Sequence, residues 1–206
     1  MDLQFYGANC LSLTHKGTRI VIDDNLVDLG GKSATKADDV SLFSGAHGSA
    51  KGRISFDGPG EYEVADVSII GIPARAHIDD AKTRNATMFK LVVGDLVILI
   101  TGHIYPELSD VQLEKIGMVD ILVMPVGGNG YTLDPIGGLK LIKMIEPKLV
   151  VPTHYADKAL NFPIPQQELA HALTELAMEP KETLVKLKAK AQELSDVTQL
   201  IVLEKS

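Results

Sequence analysis

The sequence has 206 residues, with 27 acidic against 20 basic side chains and a formal net charge of −7, giving an isoelectric point near 5.3. That balance repels phosphate backbones, and with 5% aromatic residues and no tryptophan there is neither a basic footprint nor a stacking platform for nucleic acid. A single cysteine, Cys10, excludes an intramolecular disulfide framework and a multi-cysteine zinc site, and suits a reducing compartment.

From the N-terminus, MDLQFYGANC lacks a basic segment leading into an apolar run, and no later stretch reaches the roughly 18 apolar residues of a membrane span. The expectation is one domain over residues 1–206, cytoplasmic, with no membrane partner. Short β-branched runs predict strands at 3–7, 19–23 and 39–43, with GGKSATKADD (30–39) as a loop insertion between the last two. The glycine-flanked segment SLFSGAHGSAKG (41–52) follows, carrying His47. Further strands are predicted at 67–72, 87–93 and 96–101, and Gly94-Asp95 between the last two signals an antiparallel hairpin. Ser109 with Gln112 forms a capping-box pattern that opens a helix. A strand at 120–126 precedes Asp134-Pro135, an N-cap and first-turn proline for the helix IGGLKLIKMI. A strand at 148–152 leads to a third helix near Pro165, with Leu169, Leu173 and Leu176 on one stripe. The mixed-charge stretch KETLVKLKAKAQEL (181–194) reads as a solvated face, and 199–204 as a last strand. Many strands and few helices predict an α/β fold in which two sheets pack face to face with helices outside.

Four of the six histidines follow apolar strands: His47 after DVSLF, His77 after VSIIGI, His103 after LVILIT and His154 after KLVVP. Functional loops gather at such strand ends, and neutral imidazole is a common ligand for zinc and suits iron. Convergence is not readable from sequence, and each of the four reads equally as a hydrogen-bonded loop histidine. His15, before a turn, and His171, on a mixed helix, read as structural or solvated.

Several segments resemble the metallo-β-lactamase fold superfamily, in particular its short bacterial lactonase-like branch of metal-dependent hydrolases. FYGANCLSLTHKGTRIVIDDNL resembles its opening strands, with Asp23 at the usual aspartate. PGEYEVADVSIIGIPARAH resembles its middle section, and VDILVMPVGGNGYTLD with IEPKLVVPTHY its closing section. The resemblance implies an αββα four-layer sandwich, two mixed sheets face to face with outer helices, and metal at the sheet edges. The family's metal loop, Thr-His-x-His-x-Asp-His, falls on Ser44-Gly45-Ala46-His47-Gly48-Ser49-Ala50, where only the second histidine is kept. Its bridging aspartate falls on His103, its middle histidine on His77 and its last on His154, and a histidine common after the first strand is Ala8 here.

With both family carboxylates missing, charge compensation for two divalent ions is lacking. One ion, zinc or alternatively iron, is the expected cofactor, with His47, His77 and His103 as ligands and His154 as a fourth ligand or a neighbouring acid/base; four bound histidines would close the tetrahedral shell and make the metal structural. Asn129 and Tyr131 are candidate substrate-lining donors, or simply parts of a polar turn. Three readings stay open: a single-metal hydrolase of a small ester, lactone or amide; a metal-free binding module on the same scaffold; and a non-hydrolytic metal protein. The expected partner is a small molecule, and a homo-oligomer is compatible with the sequence.

Overall fold

The computed structural model describes residues 1–45, 52–80 and 84–206. The first sheet contains β1 (Asp2–Gly7), β2 (Cys10–His15), β3 (Thr18–Ile22), β4 (Val40–Leu42) and β5 (Ile54–Phe56). The second contains β6 (Gly60–Val64), β7 (Val67–Ala74), β8 (Ala86–Val93), β9 (Leu96–Ile100), β10 (Ile121–Pro125) and β11 (Leu149–Thr153). The helices are α1 (Asp110–Ile116), α2 (Pro135–Ile145) and α3 (Leu169–Leu176), and β12 (Pro180–Leu184), β13 (Leu187–Lys188) and β14 (Gln199–Leu203) close the chain. The strand orders are β13-β1-β2-β3-β4-β5 and β12-β14-β11-β10-β9-β8-β7-β6.

Both sheets are mixed. β1, β2 and β3 are antiparallel neighbours, while β3, β4 and β5 run parallel. β6 to β9 form an antiparallel meander, and β9, β10, β11 and β14 run parallel. The predicted hairpin is present: Gly94, at φ 60°, makes the tight turn between β8 and β9 that a residue with a Cβ enters only under strain. β10 and β11 are buried at every position, as expected of parallel strands covered on both faces.

The inner faces meet in one apolar layer. Leu3, Leu11, Leu13 and Ile20 of the first sheet pack against Phe89 and Ile98 of the second, each large side chain contributing roughly 1.5–3 kcal/mol on burial. A second layer lies between the other face of the eight-stranded sheet and the helices, where Met124 and Leu122 meet Leu141 of α2, Leu176 of α3 and Ile116 of α1. The outer face of the first sheet is covered differently. Cys10 and Val21 lie beneath Leu26, Leu29 and Leu160, which belong to connections outside the helices and strands. Among the described residues, the three α-helices pack on the second sheet, and connecting segments cover the outer face of the first. No helix among them is long and apolar enough to cross a membrane.

Two sequence expectations shift. The third helix begins at Leu169, four residues beyond Pro165, and Glu168 makes no side-chain cap bond. The backbone at 166–167 is held elsewhere: Gln167 N donates to Gly127 O at 2.9 Å and its carbonyl accepts from Ala156 N at 2.8 Å. The mixed-charge stretch is exposed as expected, but part of it forms β12 and β13 at two sheet edges.

Candidate functional site

The residues around the site follow the C-terminal ends of β1, β3, β4, β7, β9, β10 and β11, at one end of the sandwich. Hydrogen bonds between buried groups tie these strand ends together. His154 N donates to Ala8 O at 2.7 Å, and Thr153 Oγ1 donates to Asn9 Oδ1 at 2.6 Å. Asn9 Nδ2 donates to Asp23 Oδ2 at 2.5 Å, while Ser44 N and Oγ both reach Asp23 at 2.6 Å. Burial raises the Asp23 carboxyl pKa, and the bonds from Ser44 and Asn9 oppose that shift. Asp23 is therefore the knot of a network spanning both sheets.

Gly102 follows β9 with φ 60°, and a Cβ there would lie 2.1 Å from Ser44 Oγ. Only glycine lets this turn pass against the Asp23–Ser44 pair and deliver His103 to the site. His77 arrives by a short extension of β7. Ala76 bridges Ile104, His77 N donates to His103 O at 2.8 Å, and Tyr105 N donates to Arg75 O at 3.0 Å. The Arg75 guanidinium lies 3.8 Å from the centre of the Tyr105 ring and fastens this extension.

His103 and His154 stand edge to face, with ring centroids 4.5 Å apart and planes at 87°. Burial and the neighbouring His154 and His77 push the His103 pKa down to about 3. Burial takes His154 to about 4, partly opposed by its bond to Gln166. Both rings are neutral at physiological pH, with nitrogen lone pairs available. His154 Nδ1 lies 3.1 Å from Gln166 Oε1, whose amide also donates to Ile164 O at 2.6 Å. As the hydrogen-bonded nitrogen is Nδ1, Nε2 is the one left for a ligand.

A cavity of about 360 Å³ opens beside this pair, lined by Asn25, Ser44, His77, Asp79, His103 and Tyr131 among others. The His77 pKa is lowered by burial, partly offset by Asp134, and its Nδ1 is buried without a hydrogen-bond partner among the described residues. Of the expected site residues, His103 and His154 are thus brought together and His77 shares the cavity. His47 lies outside the described residues. Among those described, no three His, Cys, Asp or Glu side chains are grouped tightly enough to hold a metal ion. Tyr131 lines the cavity with its ring centre 5.7 Å from His103. Asn129 does not: it is exposed, and its amide donates to Pro165 O instead.

Across the sequence, the beta-lactamase superfamily domain matches residues 2–154. The chain belongs to the metallo-β-lactamase superfamily. Within the superfamily it is similar to a metal-dependent hydrolase of Carboxydothermus hydrogenoformans, with 37% identity over 71 residues that cover 34% of this chain and 31% of that protein. A metal-dependent hydrolase of Thermococcus onnurineus is 30% identical over 100 residues, 47% of this chain and 44% of the relative. The matched stretches therefore span less than half the length of these curated relatives. A solved structure from Thermotoga maritima, assigned to the Zn-dependent hydrolases of the metallo-β-lactamase superfamily, superimposes with a TM-score of 0.78 at 25% identity, covering 98% of each chain.

Two further residues of this cluster, Gln166 and Asn9, escape a sequence reading, whereas a third, Asp79, does not. Gln166 sits in what the pattern presents as a helix start, and nothing in its neighbourhood signals a partner for a histidine. Asn9 works only through contacts to residues 14 and 144 positions away. Asp79, two residues after His77 in HIDD, does carry a local signal, a carboxylate beside a candidate ligand.

Proposed function

We propose that this chain is a metal-dependent hydrolase that uses a single divalent ion to cleave a small ester, lactone or amide. The observation that carries this reading is the pair of neutral imidazoles, His103 and His154, facing each other beside a cavity. Zinc binds imidazole nitrogen at about 2 Å, and two rings at this separation suit one shared ion. The unpartnered Nδ1 of His77 is a third nitrogen in want of a partner. His47, on the superfamily's metal loop, is the fourth candidate; three imidazoles hold the ion in this reading and the remaining one stands off it as a neighbouring acid or base, which leaves one coordination position open to substrate. The donor set is all nitrogen and uncharged, which suits zinc or iron better than calcium or magnesium.

Such an ion would supply Lewis acidity toward a substrate carbonyl. The chain's own residues do the rest. Gln166 fixes the ring plane of His154 and leaves Nε2 toward the site. Gly102, packed on Ser44, sets where His103 stands. Tyr131 closes one wall and offers a phenol O–H to a substrate oxygen. The relatives named as metal-dependent hydrolases support the reaction class, and the cavity's size supports a small-molecule substrate. A cytoplasmic location belongs to the same reading.

Metal titration into protein purified without an affinity tag tests this reading. Binding should saturate near one equivalent, and His103→Ala and His154→Ala should each lose it together with hydrolysis of small esters. Absence of binding by the parent protein after reconstitution with zinc or iron would overturn the proposal in favour of a metal-free binding module.

A further inference from the structure

Beside the imidazole pair, the cavity wall carries two oxygens for which the described residues supply no donor. Asp79 Oδ2 and Asn25 Oδ1 are both buried and lack a hydrogen-bond partner among the described residues, and both residues line the same cavity. Leaving a buried acceptor unpaired is costly, and more so for a carboxylate. The other carboxylate in that wall, Asp23, is saturated by Asn9 and Ser44. The cation next to Asp79 is already committed, since Arg75 Nε donates to the Asp79 main-chain oxygen at 2.8 Å and its guanidinium covers Tyr105. The loop itself is fixed, because Asp79 N donates to Ala76 O at 3.1 Å and Ala76 is paired with Ile104. Apolar wall is supplied by Ala76, Ile78 and Ala86.

We propose that Asp79, assisted by Asn25, is a specificity determinant that selects substrates bearing an ammonium group. The inference rests on the hydrolase reading for the word substrate, but not for the binding of the ammonium group. An ammonium ion has three donors and one positive charge, and it answers a carboxylate oxygen and an amide oxygen at once. The alkyl segment next to it lies along Ala76, Ile78 and Ala86, and the scissile carbonyl is directed to His103 and His154.

The test compares the methyl ester of ω-aminocaproate with the methyl ester of heptanoate, in which a methyl group replaces the ammonium. The parent protein should favour the amino ester in kcat/KM by about ten- to a hundredfold, the range expected of one charge-assisted bond. Asp79→Asn should bring the ratio near unity, whereas Asp80→Asn, with the same charge change one residue on, should leave it as in the parent. Equal rates for both esters in the parent, or an unchanged ratio in Asp79→Asn, would overturn the proposal. n-Pentylammonium binding, followed by saturable chemical-shift changes at the Asp79 amide with n-pentanol as the neutral control, separates the two readings. Binding that is lost in Asp79→Asn supports the ammonium site even where neither ester is cleaved, an outcome that sinks only the hydrolase. Displacement of n-pentylammonium by one equivalent of zinc in the parent, together with loss of zinc binding in Asp79→Asn, would give the carboxylate to the metal and overturn the ammonium site.

Discussion

Gln166 shows how one residue can set the chemistry of another. It is buried with His154, its Oε1 lies 3.1 Å from the ring's Nδ1, and its amide nitrogen donates to Ile164 O. Since the Gln166 amide NH2 is spent on that carbonyl, its oxygen faces the ring, so His154 must carry its proton on Nδ1 and present a bare Nε2. Gln166→Ala removes that acceptor and leaves a buried N–H unpaired, which costs about 1–3 kcal/mol. Outer partners of metal-binding histidines are worth about 10–100-fold in metal affinity. The expected outcome is therefore weaker metal binding by that factor in calorimetry, with Gln166→Glu, which keeps an acceptor, closer to the parent. Gly127 shows the same tightness, since a Cβ there would lie 2.1 Å from both Gln166 Oε1 and His154 O. The glycines of VGGNG thus do more than turn the chain.

At the scale of elements, what could be read from sequence was what depends on near neighbours. The capping box of Ser109 and Gln112 and the cap of Asp134 appear as the local pattern requires, because each is closed within one helical turn. Asp134 Oδ1 accepts from Gly137 N at 2.6 Å, and Pro135 stands at the start of α2. Asp134→Ala should cost about 1 kcal/mol, and Asp134→Asn, another good cap, should recover most of it. Urea unfolding of the two variants reads the difference, and equal losses would assign the effect to charge instead of capping. The start of α3 was misread because its sequence is helical by pattern while long-range bonds from Gly127 and Ala156 hold residue 167 extended. β2, β12 and β13 were harder to see: β2 carries Ser12 and Thr14 within an otherwise ordinary run, and the edge strands β12 and β13 draw their order from pairing with β14 and β1. Of the site, the strand-end positions of His77, His103 and His154 were legible, but their spacing in three dimensions was not. Likewise Asp23 was marked by resemblance alone, and its work as a link among Asn9, Ser44 and Thr153 follows from a contact across 144 positions.

The whole molecule pays a stability cost for keeping two imidazoles neutral inside it, and the cost has a definite pH signature. An exposed histidine in the unfolded chain titrates near pH 6.5, whereas burial holds His103 at about 3 and His154 at about 4. Above about pH 6.5 neither state binds these protons and stability is insensitive to them. Below it the unfolded chain takes up protons that the folded protein refuses, so stability falls as pH falls, until the folded values are reached. Each histidine contributes about 1.4 kcal/mol per pH unit in that window. At pH 5 the pair therefore removes about 4 kcal/mol from the metal-free protein, a large part of an ordinary domain's stability. Asp23 acts with the opposite sign, because its raised pKa lets the folded state keep a proton that the unfolded chain has released, in the window from the ordinary carboxylate value near 4 up to its own raised value. The Asp23 contribution is common to the parent and to a histidine variant, so the difference between the two across about pH 6.5 to 5 reads the histidine. Urea unfolding of chelator-treated protein across that interval should show the fall, and His103→Gln should lower its slope by about 1.4 kcal/mol per pH unit, the share of one buried histidine. A slope unchanged in His103→Gln would mean that the ring is protonated in the folded protein or reached by water, and the neutral imidazole pair on which the proposed metal site rests would be lost with it.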